Sequence, residues 1–150
     1  MPDSEVSDGP GQRLTHENMT GLIPFASTLG LELVSAAPER VEGRLAYSPE
    51  RCTSGGVLHG GALMAMADNF GGVLSYLNLP PEATTSTIES KTNFFRAVRE
   101  GRVVGVSRPL HVGRSTIVVQ TDLFDEDGRH VAQTTQTQAV VGGTERARIE

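Results

Sequence analysis

The sequence predicts an α+β domain in which one long helix packs on one face of an antiparallel sheet. Three observations carry this expectation. Strand-like runs come as two and then four, with a single long helical stretch between them; the links between strands are short and rich in turn residues; and the helical stretch carries an apolar stripe suited to a sheet. Such an order is not the βαβ alternation that builds a parallel sheet.

The elements follow in chain order. Residues 1–12, MPDSEVSDGPGQ, are polar and rich in Gly, Pro, Ser and Asp, the composition of an unfolded leader, with neither the basic segment nor the apolar segment of an export signal. From Leu14 to Ala26 the spacing of Leu14, Met19, Leu22, Ile23 and Phe25 predicts a short helix whose end Pro24 disturbs. Leu31–Ala36 and Arg40–Ser48 are expected as strands joined by an Ala37-Pro38-Glu39 turn. In the second, Val41, Leu45 and Tyr47 alternate with Glu42, Arg44 and Ala46. A helix is expected over 59–78. Thr84–Phe95, Arg102–His111, Arg114–Phe124 and His130–Val141 then have strand composition and are expected in meander, with turns at His111–Arg114 and Asp125-Glu-Asp-Gly128. The folded domain is expected over 13–141, and 142–150 as a solvated tail.

Composition limits the function classes. At 150 residues and 37% hydrophobic the chain can bury one core. Its net charge of −5 argues against a nucleic-acid partner, so a polyanionic ligand would need a local arginine cluster. No run approaches the roughly 18 apolar residues of a membrane span. The single cysteine, Cys52, excludes an internal disulfide and suits a reducing cytoplasm; His16, His111 and His130 lack metal-ligand spacing, so no metal is expected.

The chemistry concentrates in the stretch Leu58-His-Gly-Gly-Ala-Leu-Met-Ala-Met-Ala-Asp68 and the helix it opens. At about 100° per residue, Leu63, Met66, Phe70, Val73, Leu74 and Leu77 share one stripe. Nearly opposite lie Gly61, Met64, Ala65, Asp68, Gly71, Gly72 and Ser75. A solvated face would carry Lys, Glu, Arg or Gln, yet Asp68 is the only formal charge of the helix. Glycine in a helix interior costs about 1 kcal/mol relative to alanine, which close approach of another chain or a ligand would offset. Asp68 is therefore the candidate catalytic carboxylate. At the helix start, the free backbone N–H groups of Gly60 and Gly61 are expected to point outward and to hold a developing oxyanion.

These residues, together with Glu89-Ser-Lys-Thr-Asn-Phe-Phe-Arg-Ala-Val-Arg-Glu-Gly101, resemble the hotdog-fold acyl-CoA thioesterases of the PaaI-like and 4-hydroxybenzoyl-CoA thioesterase (4HBT) group, over roughly residues 28 to 141. The resemblance implies a long central helix wrapped by a six-stranded antiparallel sheet, with subunits paired so that two active sites form at their interface and homodimers assemble to a homotetramer. It makes Asp68 the general base or nucleophile, Gly60 the residue whose N–H polarises the thioester carbonyl, and His59 the residue that orients the loop. Relatives place Asn or Gln six residues before the His; Thr53 stands there, and its hydroxyl or that of Ser54 would substitute. Thr87, with Thr85 and Ser86 beside it, aligns with a Ser or Thr that helps hold water.

A thioester is already activated for acyl transfer, so the expected enzyme needs no cofactor; coenzyme A is part of the acyl-CoA substrate. Its phosphates are expected at Gly61 and at a patch formed by Arg96, Arg99 and Arg114, with Arg102 and Arg108 beside them. Met64, Met66, Leu77, Phe94 and Phe95 are the candidates for the acyl pocket, and a small aryl or medium-chain acyl group is what the family implies. Two other readings rank behind this one: a hotdog hydratase or dehydratase, whose Asp-x-Asn-Pro-x-His and His-x-x-x-Pro-Gly motifs are missing, and a non-catalytic acyl-CoA-binding domain, which would not need Asp68. A serine hydrolase would need a Gly-x-Ser-x-Gly elbow, which is also missing.

Overall fold

The computed structural model describes residues 14–143. The expected leader over 1–12 lies outside them, as does all of the expected tail beyond Gly143. Two short helices, α1 (His16–Leu22) and α2 (Pro24–Leu29), precede strands β1 (Glu32–Ala37) and β2 (Arg40–Ala46). The long helix α3 (Gly60–Leu77) follows, then β3 (Ala83–Phe94), β4 (Arg102–Val112), β5 (Thr116–Phe124) and β6 (His130–Gly142). The α+β class, the six antiparallel strands and the long helix are as expected.

Two details differ. The single helix expected over 14–26 is two, because proline has no N–H for an i−4 bond but is suited to a first helical turn; Pro24 therefore ends α1 and opens α2. The four later strands are not one meander. The sheet order is β1-β2-β4-β5-β6-β3, so β3 pairs with β6 at the far edge and β4 inserts beside β2. Residues 95–101 carry the chain back across the end of the sheet. They are tied down by bonds from Phe95 N–H to Val131 O (2.8 Å) and from Leu58 N–H to Val98 O (2.9 Å), with Val98 buried.

The sheet curls round α3, whose Leu63, Met66, Phe70, Val73 and Leu74 are buried as the wheel predicts. Against them stand Val41, Leu45, Val103, Ile117, Val119 and Leu123, the inward residues of alternating strands. The helix comes this close because Gly43 of β2 faces the Phe70 ring, a ring carbon lying 2.0 Å from where a Cβ would stand; Gly105, its partner on β4, continues the gap. Gly71 and Ser75, expected on the open face, are also buried, since the curl of β6 and β3 covers more of the helix than one stripe. Ser75 answers its burial by donating to Gly71 O at 2.9 Å.

Candidate active site

Asp68 leaves α3 near its middle and faces solvent, but it is not free. Gln136 Nε2, wholly buried on β6, donates to Asp68 Oδ1 at 3.0 Å. The amide reaches the carboxylate across Gly71, where an added Cβ would stand 1.9 Å from Gln136 Oε1. What approaches Gly71 is thus a side chain of the same chain, not the second chain or ligand expected from the sequence.

Asp68 opens on a cavity of about 460 Å³. Leu14, Met19, Leu22, Ile23 and Val73 give it an apolar lining, to which Thr85, Thr87 and Gln138 of the outer strands add polar groups. Thr87 Oγ1 donates to Gln138 Oε1 at 3.1 Å, and the predicted Thr87 lines the same cavity as Asp68. The β-bulge between Thr87 and Glu89 lies at this point of the edge strand. None of Met64, Met66, Leu77, Phe94 or Phe95 lines the cavity. Met66 is in the core under the helix, Met64 is exposed, and the Phe94 ring stands over Gly60, 3.2 Å from a notional Cβ. The apolar lining of this cavity comes instead from Leu14, Met19, Leu22, Ile23 and Val73.

His59, Gly60 and Gly61 sit at the start of the helix, where His59 and Gly61 border a separate cavity of about 550 Å³ with Phe25, Arg51 and Ala65. His59 is the N-cap, and its Nδ1 accepts the Gly61 N–H at 2.8 Å. Gly61 is therefore not a free donor, a correction to the expected pair. The Gly60 N–H has no acceptor among the described residues, and the positive end of the helix dipole lies behind it. The loop is held by His59 N–H to Arg51 O at 2.8 Å and by the Cys52–Leu58 bridge. Thr53 turns its hydroxyl onto Gly55 N–H at 3.3 Å, an ST-turn that shapes the loop, and borders neither cavity.

The arginines do not form one patch within a chain. Arg96 and Arg99 lie on the 95–101 crossing, where Arg99 Nη1 donates to Gly55 O at 3.2 Å and faces a loop carrying Asp125, Glu126 and Asp127. Arg114 occupies the β4–β5 turn, beyond the far end of an 11-residue strand that starts at Arg102, roughly 35 Å away at about 3.3 Å per residue. Arg108 points away from the helix, opposite Gln120.

Gln136 and Gln138 escape a reading by motif. Their signal is positional: at alternate residues of β6 they share the inward face with Ala132 and Thr134, where an apolar side chain is the rule.

A hotdog sheet round a helix whose one carboxylate opens on an apolar cavity defines a class, the hotdog-fold thioester hydrolases. Known proteins agree. The family model described as thioesterase superfamily (4HBT) matches residues 55–132. The 1,4-dihydroxy-2-naphthoyl-CoA hydrolase of Escherichia coli K12 is 41% identical over 86 residues, 57% of this chain and 63% of that one, so the match spans just under two thirds of that relative. The proofreading thioesterase EntH of Cronobacter turicensis is 30% identical over 125 residues, 83% of this chain and 91% of its own. Among solved structures, thioesterase HI1161 of Haemophilus influenzae superposes with a TM-score of 0.82 at 27% identity, covering 91% of this chain and 97% of that one. The chain belongs to the thioesterase superfamily.

Proposed function

We propose that the protein is an acyl-CoA thioesterase acting on small aryl or medium-chain acyl groups, with Asp68 as general base or nucleophile and the Gly60 N–H polarising the thioester carbonyl. One observation carries the reading. The only charge on α3 is a carboxylate held by a buried amide at the mouth of an apolar cavity. In that setting a carboxylate has little to do for stability and is placed to activate a water or attack a carbonyl carbon. On the general-base route, Asp68 takes a proton from water as its oxygen bonds to the acyl carbon. The C–S bond then breaks, and the proton passes to the departing sulfur. The aromatic acyl group in the name of the Escherichia coli relative supports an aryl substrate, and the apolar wall from α1 and Val73 suits one.

A homodimer is part of the proposal. Gly60 and Asp68 are eight residues apart, about 12 Å along the helix axis, and the Gly60 N–H points away from Asp68. One chain cannot set both on the same thioester, so each site would take Gly60 from one copy and Asp68 from the other. The long edge strand β3, with Ile88 61% exposed, supports pairing with a second copy. Assembly of dimers to a homotetramer, and residence in the cytoplasm, belong to the same proposal. No helix among the described residues is long and apolar enough to cross a membrane.

Free-thiol release from a panel of aryl- and medium-chain acyl-CoA esters, wild type beside Asp68→Asn, tests the reading. Hydrolysis that the substitution abolishes in a folded protein is the expected result. Equal background rates for both across the panel would contradict it and favour a binding domain.

A further inference from the structure

We infer that Gln136 is the positioning residue that presents Asp68 to the thioester, and that residue 71 is glycine in order to seat it. The inference rests on Asp68 being the reacting carboxylate. Gln136 is 0% exposed, and its single side-chain hydrogen bond among the described residues goes to Asp68 Oδ1 at 3.0 Å. Its Oε1 is buried without a partner. Thr121 Oγ1, the hydroxyl near the same point on Gly71, is already engaged with Ser107 Oγ at 2.6 Å. A buried amide with an unpaired oxygen is worse for folding than an apolar side chain of the same volume, so the stability of the sheet does not account for it.

Gly71 repeats the pattern. A Cβ there would meet Gln136 Oε1 at 1.9 Å and Cδ at 2.8 Å, so only glycine leaves room for the amide, although glycine weakens a helix interior relative to alanine. Both unfavourable choices serve one contact. By fixing Oδ1, the amide holds the carboxylate plane and leaves Oδ2 for the water or the acyl carbon. A pre-set orientation of that kind is what a carboxylate on an otherwise solvent-facing helix position lacks.

Two variants test this. Gln136→Met keeps the volume and removes the amide; Gly71→Ala keeps the amide and drives it from its seat. Each is expected to lower kcat by about ten- to a hundred-fold, the range of one hydrogen bond to a charged group, with KM for the CoA ester little changed and thermal unfolding of Gln136→Met not earlier than wild type. In the Asp68→Asn background neither change should lower the residual rate further, and the two together should cost no more than one alone. Should Gln136→Met fail to fold, Gly71→Ala carries the same comparison. Wild-type kcat in a folded Gln136→Met or Gly71→Ala protein would overturn the inference, as would an undiminished loss in the Asp68→Asn background. Wild-type activity in Asp68→Asn itself would instead overturn the reading of Asp68 on which it rests.

Discussion

The two ends of the site are built by opposite means. At the start of α3 the group proposed to act is a backbone N–H, set by an N-cap in which His59 accepts the Gly61 N–H at 2.8 Å, and the loop around it is exposed. At mid-helix the group proposed to act is a side chain, set from outside its own element by an amide that is wholly buried on β6. Local sequence alone determines the first, whereas the second needs residues 68 positions apart to meet across the core. A donor from the helix start tolerates an exposed loop because the backbone supplies its direction. A carboxylate needs a neighbour to supply it.

The largest expected effects separate the two ends. Asp68→Asn should lower kcat by about a thousand-fold, in the middle of the range for loss of general base catalysis, with the fold intact by circular dichroism. Gly60→Pro removes the N–H at the cost of adding a ring beside Phe94. Proline is suited to the first helical position, and His59 already has the extended backbone (φ −63°, ψ 133°) that a following proline requires. The variant should keep α3 and lose about a hundred-fold in kcat, as for an oxyanion donor, once the Phe94 ring yields a few tenths of an ångström. A folded Gly60→Pro protein with full activity would remove the helix start from the site.

A smaller effect probes the scaffold that both ends share. Gly43→Ala places a methyl in the Phe70 ring, which must shift, and should destabilise the protein by about 1–3 kcal/mol in urea unfolding. Smaller still is the contribution of the β5–β6 hairpin. Loss of solvent at Asp125 raises its pKa, but the Arg129 backbone N–H (2.9 Å), the Arg129 side chain (2.8 Å) and the Asp127 N–H (3.0 Å) donate to its carboxylate and hold it below the ordinary carboxylate value on balance. A depressed folded value means that this stabilisation is present above the unfolded pKa and is lost as pH falls through the folded one. Asp125→Asn should therefore lower Tm slightly at neutral pH and converge with wild type in acid. A constant gap at all pH values would show that the carboxylate charge plays no part.

The fold was legible because each element announces itself locally. The alternation of Val41, Leu45 and Tyr47 and the stripe from Leu63 to Leu74 depend on neighbours two to four residues away, and the Asp125–Gly128 turn on four consecutive residues. The edge position of β3 was not legible, because strand order depends on which edge the chain reaches after α3, and composition is silent on that. Asp68 was legible as a lone charge on a small-residue face, but its partner Gln136 was not, nor was the reason for Gly71. A glycine in a helix signals a close approach without saying what approaches. The apolar wall from Leu14, Met19, Leu22 and Ile23 was hidden for a similar reason, since a short amphipathic helix reads the same whether it covers core or cavity.

The central claim is that the two ends of α3 act together only between copies. Co-expressing Asp68→Asn and Gly60→Pro chains with different tags, and purifying the heterodimer through both, tests it most directly. One of its two sites would combine an intact Gly60 with an intact Asp68, and the account predicts about half the wild-type rate per dimer from two chains that each lose about a hundred-fold or more alone. A purified heterodimer no more active than either parent homodimer would contradict the shared site.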